Sequence, residues 1–270
     1  MNWLTPQRAR EGSAMASTMI VDILQGRVAV LTGASGGIGG AVALRLAESG
    51  ADLVLTFAGH ADQTEELADR VRAMGRRAEV VRADFADPAA PAAVARLAEE
   101  RLGAVDVLVT AAAAAVRTSW EDVDEKTWDH TMAVNGRGPF FLARQLVPGM
   151  VERGFGRVLL FSSTAAFNGG TIGPHYASSK AALHGLVHYL AGRVAGSGVT
   201  VNALAPALIG GTWMLPGSVD GPLPMPVPVG RLGTVDEVAD MAMAMLRNGY
   251  LTDKVIALDG GLLPGSRLDQ

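Results

Sequence analysis

Tyr176 and Lys180 are spaced so that they could act together in proton transfer. Both lie near the start of a predicted helix, and the i, i+4 spacing places their side chains on one face. A phenol with its ordinary pKa near ~10 needs help to act at neutral pH, and a nearby ammonium lowers that pKa by favouring the phenolate. The pair therefore predicts general acid–base chemistry. The same spacing also arises by chance in surface helices, so the prediction depends on the residues that accompany it.

Two further polar side chains precede this pair. Ser163 follows Ser162 at the end of a predicted strand and lies thirteen residues before Tyr176. Asn135 lies in an Ala-Val-Asn-Gly segment of a long predicted helix.

A glycine-rich turn provides a candidate phosphate site. The strand Val28–Thr32 runs into Thr-Gly-Ala-Ser-Gly-Gly-Ile-Gly, with glycines at 33, 37 and 39. Gly33 permits a tight turn, Gly37 allows close backbone approach to a pyrophosphate, and Gly39 allows a helix to pack against the sheet. The alternative interpretation is a tight turn without a ligand, but the strand-to-helix junction is the context that a dinucleotide motif requires.

Short apolar runs alternate with helix-length segments along the chain. The alternation predicts an α/β fold, with a single Rossmann-type doubly wound parallel sheet of about seven strands and helices on both faces. We predict a poorly ordered extension over residues 1–22 and one NAD(P)-binding Rossmann domain over residues 23–270. A proline-rich loop at 208–229 is predicted to cover the substrate. The predicted strands are Val28–Thr32, Asp52–Phe57, Ala78–Arg82, Val105–Thr110, Gly156–Ser162, Thr200–Ala205 and Val255–Asp259, and the predicted helices are Ile38–Ser49, Asp62–Met74, Pro91–Leu102, Trp128–Arg153, Tyr176–Ala195 and Thr234–Arg247.

Composition excludes several classes of function. The chain has 23 basic and 27 acidic residues, a net charge of −4 and no long basic face, so no nucleic-acid partner is expected. Cysteine is absent, which excludes disulfides and thiolate chemistry and is compatible with the cytoplasmic location we predict. No apolar run reaches the ~18 residues of a membrane span, so no membrane partner is expected. His184 and His188 are assigned to helix packing, and no metal site is predicted.

Taken together, the motifs resemble the short-chain dehydrogenase/reductase family from about Gly26 to Gly261, and most of all its bacterial 3-oxoacyl-carrier-protein reductase type. The resemblance rests on Gly-x-x-x-Gly-x-Gly, the serine, Tyr-x-x-x-Lys, Asn-Ala-Leu-Ala-Pro at 202–206 and Asp-Gly-Gly at 259–261. It implies a nicotinamide-dependent oxidoreductase acting on a small carbonyl or alcohol substrate. It also implies a homodimer or homotetramer that pairs the helices at 128–153 and 176–195 across subunits.

The resemblance assigns a role to each site residue. Tyr176 would donate a proton to the carbonyl, and Lys180 would lower the tyrosine pKa and hold the nicotinamide ribose. Ser163 would bind the substrate oxygen, and Asn135 would support a water relay to Lys180. The implied cofactor-binding residues are Gly33, Ser35, Gly37, Ile38, Gly39, Phe57, Asp84, Phe85, Ala111, Ala112, Tyr176, Lys180, Pro206, Ile209 and Thr212.

Two segments bear on the cofactor. The family usually has Asn-Asn-Ala-Gly after the fourth strand, whereas this chain has Thr-Ala-Ala-Ala at 110–113, a change in the segment that lines the adenine ribose. The end of the second strand, Thr-Phe-Ala-Gly-His at 56–60, has no acid to bind a ribose 2′-hydroxyl. This predicts that NADP(H) is preferred over NAD(H), although neither Gly36 nor Ala58 is a basic residue that could pair with the phosphate.

The predicted pocket wall is mostly apolar and is formed by Ala114, Val116 and Phe167, with Trp213, Met214 and Leu215 after the sixth strand. We expect a neutral, hydrophobic substrate, and an anionic one less, although Arg117 lies nearby. The first hypothesis is an NADP(H)-dependent ketone or 3-oxoacyl reductase. The alternatives are an NAD-dependent alcohol or sugar dehydrogenase, and a non-catalytic dinucleotide-binding sensor.

Overall fold

The computed structural model describes residues 22–216 and 223–263, which contain one seven-stranded parallel sheet. Its spatial order is β3-β2-β1-β4-β5-β6-β7. The chain therefore reverses its direction of travel between β1 and β4, which is the switch point where open α/β sheets bind ligands. The strands are β1 (Val28–Thr32), β2 (Asp52–Phe57), β3 (Ala78–Arg82), β4 (Val107–Thr110), β5 (Gly156–Phe161), β6 (Val199–Pro206) and β7 (Lys254–Leu258).

Helices cover both faces of this sheet, so alternate residues of a strand enter different cores. The helices are α1 (Gly37–Glu48), α2 (Ala61–Ala73), α3 (Ala90–Arg101), α4 (Glu125–Met132), α5 (Gly138–Glu152), α6 (Ala165–Asn168), α7 (Pro174–Val194) and α8 (Val235–Arg247). Leu31 packs with α1, α2 and α8, whereas its neighbour Val30 packs with α3, α5 and α7. The predicted fold class is therefore confirmed.

The single helix predicted over Trp128–Arg153 is wrong. α4 and α5 are separated by one π-helical turn, Ala133–Arg137, which carries Asn135. Pro139 has no N–H and so cannot donate to the carbonyl four residues earlier, which is that of Asn135. A wider turn is a common response to such an interruption and is frequent at functional sites.

The ends of the predicted domain are only partly described. Residues 1–21, 217–222 and 264–270 lie outside the described part of the chain, so most of the predicted extension is not described. Asp22, which we assigned to that extension, accepts hydrogen bonds from Leu24 and Arg247. The described residues of the 208–229 loop form only isolated bridges, Ile209 with Gly233 and Thr212 with Leu215. Within the described ranges, no helix has the length and apolar character needed to span a membrane.

Candidate active site

A cavity of about 630 Å³ opens at the carboxyl ends of β1, β4, β5 and β6. The glycine-rich turn forms one side of it, and the ends of β5 and α7 form the other. The loop after β6 contributes Trp213, Met214 and Leu215 to the wall. The expected wall residues Ala114, Val116 and Phe167 do not line the cavity. The sequence-predicted site residues that do line it are Gly33, Gly37, Ile38, Gly39, Ala111, Ser163, Tyr176, Lys180, Pro206, Ile209 and Thr212.

Lys180 is the most deeply buried charge in this cavity, with 3% of its surface exposed. Its Nζ donates a hydrogen bond to the Phe161 carbonyl oxygen at 2.8 Å and lies 5.8 Å from the Tyr176 ring centre. Burial lowers the pKa of Lys180 from 10.5 to about 8, because the ammonium loses hydration. The side chain is thus held beside the tyrosine and remains mostly protonated at neutral pH.

Tyr176 lies one turn earlier on α7 and is 4% exposed. Burial raises the pKa of its phenol, and the nearby Ser163 hydroxyl offsets this only partly. We expected Lys180 to lower the pKa of Tyr176; in this structure the pKa is raised instead, because desolvation dominates and Lys180 bonds to Phe161. The raised pKa keeps the phenol protonated at neutral pH, which is the state that a proton donor needs.

Ser163 immediately follows β5 and faces the same cavity as Tyr176. Its Oγ accepts a 3.2 Å hydrogen bond from the Ala165 N–H. Because that bond uses the oxygen as acceptor, the hydroxyl proton remains available for a ligand oxygen. Ser163, Tyr176 and Lys180 thus line one cavity, and their catalytic roles remain a prediction.

Asn135 is fully buried and does not line the cavity, but it connects two walls of the site. Its Oδ1 accepts from the Ala114 N–H at 2.7 Å, and its Nδ2 donates to the Ala114 carbonyl at 2.9 Å. The same Nδ2 donates to Ser179 Oγ, next to Lys180 in the chain, at 3.0 Å. Both N–H groups of the amide donate, and its oxygen accepts one of the two hydrogen bonds it could accept. The side chain therefore fixes the segment after β4 against α7.

The glycine-rich turn fits the phosphates of a dinucleotide. A Cβ at Gly37 would lie 2.8 Å from the Gly211 carbonyl oxygen, and one at Gly39 would overlap the Gly33 carbonyl oxygen. α1 begins after Gly36 with no side-chain cap and no acid in its first turn. Its first N–H groups and positive dipole end therefore face a cavity with close backbone approach, which suits a pyrophosphate.

The predicted nicotinamide and adenine ends differ in how they are built. Pro206, Ile209 and Thr212 line the cavity, and Thr212 Oγ1 donates to the Ile209 carbonyl at 3.0 Å. At the other end, Asp84 is exposed and its Oδ1 accepts from the Ala86 N–H. The side chain of Phe85 is buried in the core, so only its backbone is left to meet a nucleotide. Ser35, Phe57 and Ala112 do not line the cavity.

The unusual Thr-Ala-Ala-Ala segment at 110–113 is nevertheless held in place. Thr32 Oγ1 accepts a 3.1 Å hydrogen bond from the Ala112 N–H. Asn135 Oδ1 accepts one from the N–H of Ala114, just after the segment. Gly33 packs so closely here that a Cβ would lie 2.6 Å from the Ala112 nitrogen. The Thr110 hydroxyl is buried and has no partner among the described residues. The backbone path thus stays fixed without the amides of the usual motif.

Sequence reasoning missed one basic residue, Arg82, near the proposed cofactor site. In the parallel register of β2 and β3, Arg82 lies directly beside Phe57, at the edge where a ribose would bind. An arginine on a neighbouring strand leaves no local sequence motif, so only the sheet register reveals it.

The two histidines of α7 do not form a pair: His184 Nε2 lies 2.8 Å from Ser162 Oγ, whereas His188 contacts Asp253.

Comparisons with known proteins agree with this arrangement. A family model described as short chain dehydrogenase matches residues 27–220. The chain is 32% identical to 2-dehydro-3-deoxy-D-gluconate 5-dehydrogenase of Pseudoalteromonas atlantica over 244 residues, covering 88% of this chain and 96% of that protein. It is 31% identical to acetoacetyl-CoA reductase of Allochromatium vinosum over 242 residues, which cover 87% of this chain and 98% of that protein.

A solved structure shares the whole architecture. The 3-oxoacyl (acyl-carrier-protein) reductase from Agrobacterium tumefaciens C58, solved with NADP bound, aligns with a TM-score of 0.82 at 26% identity. The alignment covers 92% of this chain and all of that one. With the family model and the relatives, this shows that the chain belongs to the short-chain dehydrogenase family of NAD(P)-dependent oxidoreductases.

Proposed function

We propose that the protein reduces a ketone or 3-oxoacyl group of a largely hydrophobic substrate to the alcohol, using NADP(H), with Tyr176 as the proton donor. The observation that carries the proposal is the buried phenol of Tyr176 on the wall of a mostly apolar cavity, beside Ser163 and Lys180. A phenol in this place can donate its proton to a carbonyl oxygen, which is the step that reduction requires.

Each side chain has a distinct task in this proposal. Ser163 donates its free hydroxyl proton to the substrate oxygen and orients it toward the phenol. NADPH, when bound, would supply the hydride that reduces the carbonyl carbon. Tyr176 transfers its proton to the oxygen, and the positive charge of Lys180 stabilises the phenolate that remains. Asn135 acts as a positioning residue, because it holds α7 and the segment after β4 in register.

The same wall residues would hold the cofactor. The N–H groups at Gly37, Ile38 and Gly39 suit the pyrophosphate, and Pro206, Ile209 and Thr212 suit the nicotinamide end. At the adenine end, the exposed Asp84 and the backbone after β4 at Ala111 and Ala112 are the groups within the proposed site. In this proposal the cofactor joins the glycine-rich turn to the β6 loop, and Lys180 reaches the ribose between them.

Preference for NADP(H) over NAD(H) is supported by charge. No acid follows β2 before Asp62, so nothing there repels a 2′-phosphate. Arg82 lies beside Phe57 in the sheet, is exposed, and forms no salt bridge within residues 22–216 and 223–263. We assign Arg82 as the phosphate partner that was not found at Gly36 or Ala58. The NADP bound in the Agrobacterium reductase supports the same choice.

The test is a comparison of kcat/KM for NADPH and NADH with a panel of ketones. Wild type should prefer NADPH, and Arg82→Gln should lose about 10- to 100-fold in kcat/KM for NADPH and little for NADH, since a charge-assisted hydrogen bond contributes about 1.5–3 kcal/mol. Arg101→Gln, at the carboxyl end of α3 and near the amino end of β3, away from the proposed cofactor site, is the matched control. A preference of wild type for NADH would contradict the cofactor assignment.

An oxidising role is the second candidate function. The relative from Pseudoalteromonas atlantica is named a dehydrogenase of a sugar acid, which favours an NAD(P)-dependent alcohol or sugar dehydrogenase as the alternative. The same residues would then work in reverse, with Tyr176 accepting the proton.

We also propose that two copies of the chain pair through α4, α5 and α7. Trp128 and Phe140 are exposed there, at 38% and 39%, around a groove lined by residues of all three helices, including Met132 and Leu186. Exposed aromatic side chains beside an apolar groove are typical of an interface. Phe140→Asp should lower the molar mass measured by light scattering, whereas Tyr250→Asp, on an exposed turn, should not.

The predicted cytoplasmic location remains a prediction from composition.

A further inference from the structure

The cavity that holds the proposed active site is lined by only two charged side chains in the part of the chain that the structure describes, and both are positive. They are Lys180 and Arg117. No aspartate or glutamate lines it, and the rest of the wall is apolar or neutral. Lys180 is buried beside the tyrosine and is committed to it in the proposed function. Arg117 is therefore a cation in the cavity to which the proposed reaction gives no task.

Arg117 is held in place at one side of its guanidinium. Its Nη1 donates to the Thr171 carbonyl oxygen at 3.0 Å and to Thr171 Oγ1 at 3.2 Å. The neighbouring Thr118 N–H donates to the Ile172 carbonyl at 2.9 Å, which joins the same two segments. The loop so joined leads directly into α7, and Tyr176 follows Thr171 by five residues. Arg117 is exposed at the mouth of the cavity, but these contacts tie its guanidinium to the loop that carries the proton donor.

The remaining donors of Arg117 are unengaged in the described structure. Neither Nε nor Nη2 makes a hydrogen bond within the described residues, and Arg117 forms no salt bridge there. Nε and Nη2 form one of the two forked edges of a guanidinium, and such an edge matches the two oxygens of a carboxylate. A cation fixed at one edge and unpaired at the other, in a cavity without acids, is arranged to bind an anion.

Arg117 lies on the substrate side of the cavity rather than the phosphate side. The phosphate side is the turn from Gly33 to Gly39, whereas Arg117 contacts the loop before α7. Other parts of the cavity wall are apolar, with Trp213, Met214 and Met225. A ligand with one charged end and an apolar body would satisfy both Arg117 and these apolar parts.

We propose that the substrate is an oxo acid whose carboxylate pairs with Arg117 while its carbonyl meets Ser163 and Tyr176. This rests on the proposed reductase function and specifies its substrate class. It departs from the neutral substrate that the apolar residues alone led us to expect, because the loop contact that fixes Arg117 is not visible in the sequence.

The test uses oxo acids with the ketone two, three or four carbons from the carboxylate, each compared with its methyl ester. Wild type should reduce at least one acid with a kcat/KM ten or more times that of its ester. Arg117→Gln should lose about 10- to 100-fold on that acid and leave the ester unchanged, and Arg117→Lys should recover part of the loss. Arg96→Gln, on the exposed face of α3, is the control for a general loss of positive charge.

Two results separate the inference from the proposed function. If wild type reduces esters as well as acids, or if Arg117→Gln slows both equally at unchanged melting temperature, the carboxylate proposal is overturned while the reductase stands. If wild type reduces no carbonyl compound, or if Tyr176→Phe reduces them as fast as wild type, the proposed function itself fails, and the proposal for Arg117 fails with it.

Discussion

The Lys180 ammonium donates a 2.8 Å hydrogen bond to the Phe161 carbonyl oxygen, at the last residue of β5. The bond fixes the charge directly before the serine pair and one helical turn after Tyr176. Among the described residues, it is the only hydrogen bond that the Lys180 ammonium makes. A buried lysine with so little compensation is costly to the fold, and its retention at this place is best explained by function.

The first prediction concerns this cost and its dependence on pH. The folded-state pKa of Lys180 is about 8, below its unfolded value of 10.5. Between these values the unfolded chain holds a proton that the folded chain has released, so the contribution of Lys180 to stability rises with pH in this window and is least favourable below pH 8. The free energy of unfolding of wild type, relative to Lys180→Met, should rise by about 2 kcal/mol from pH 7.5 to 9.5.

Urea unfolding of both proteins at several pH values measures this difference. Parallel stability curves from pH 7 to 10 would show that the buried lysine does not release its proton in this range. Lys180→Met should also lose turnover at every pH, because it removes the charge that stabilises the phenolate.

The second prediction concerns Gly37, which touches the β6 loop. A methyl group there would lie 2.8 Å from the Gly211 carbonyl oxygen and 3.3 Å from Val235 Cγ1. Gly37→Ala should therefore displace the loop that carries Ile209 and Thr212 and weaken NADPH binding about tenfold or more, measured by nicotinamide fluorescence titration. The melting temperature should change little while the affinity for NADPH falls, since the contact lies at the cavity rim.

Gly40→Ala is the matched control for this experiment. Gly40 lies one turn further along α1, and its Cβ would meet only the Ala34 carbonyl oxygen, at an ordinary 3.5 Å. Replacing a mid-helix glycine by alanine stabilises a helix by about 0.5–1 kcal/mol, so this variant should melt slightly higher and bind NADPH as wild type does. Equal binding by both alanine variants would refute the close-approach argument.

Much of the fold could be predicted from the sequence because its signals are local. β1 to β3 have the predicted bounds, and the capping box of α8 is present, with Thr234 and Glu237 bonded to each other's backbone. The interrupted helix was missed because apolar periodicity continues through the π-helical turn. Only the missing N–H of Pro139 signals the interruption, and proline near a helix start is otherwise unremarkable.

The chemistry of the candidate site was less predictable than the grouping of its residues. Spacing predicted that Tyr176, Ser163 and Lys180 form a group, and all three line one cavity, while their roles remain a prediction. The direction of the tyrosine pKa shift depends on burial that spacing does not reveal. Arg82 and Arg117 gain their proposed meaning from a neighbouring strand and a neighbouring loop, so tertiary structure was needed to find it.

The most direct test of the central claim is Tyr176→Phe, which removes the phenolic hydroxyl and keeps the ring. NADPH-dependent reduction of a ketone by this variant should fall by about 10²- to 10⁴-fold in kcat, the range that general acid catalysis contributes, while NADPH binding stays within about threefold of wild type. That result would identify Tyr176 as the proton donor. Turnover that survives the substitution in a folded, NADPH-binding protein would contradict the account.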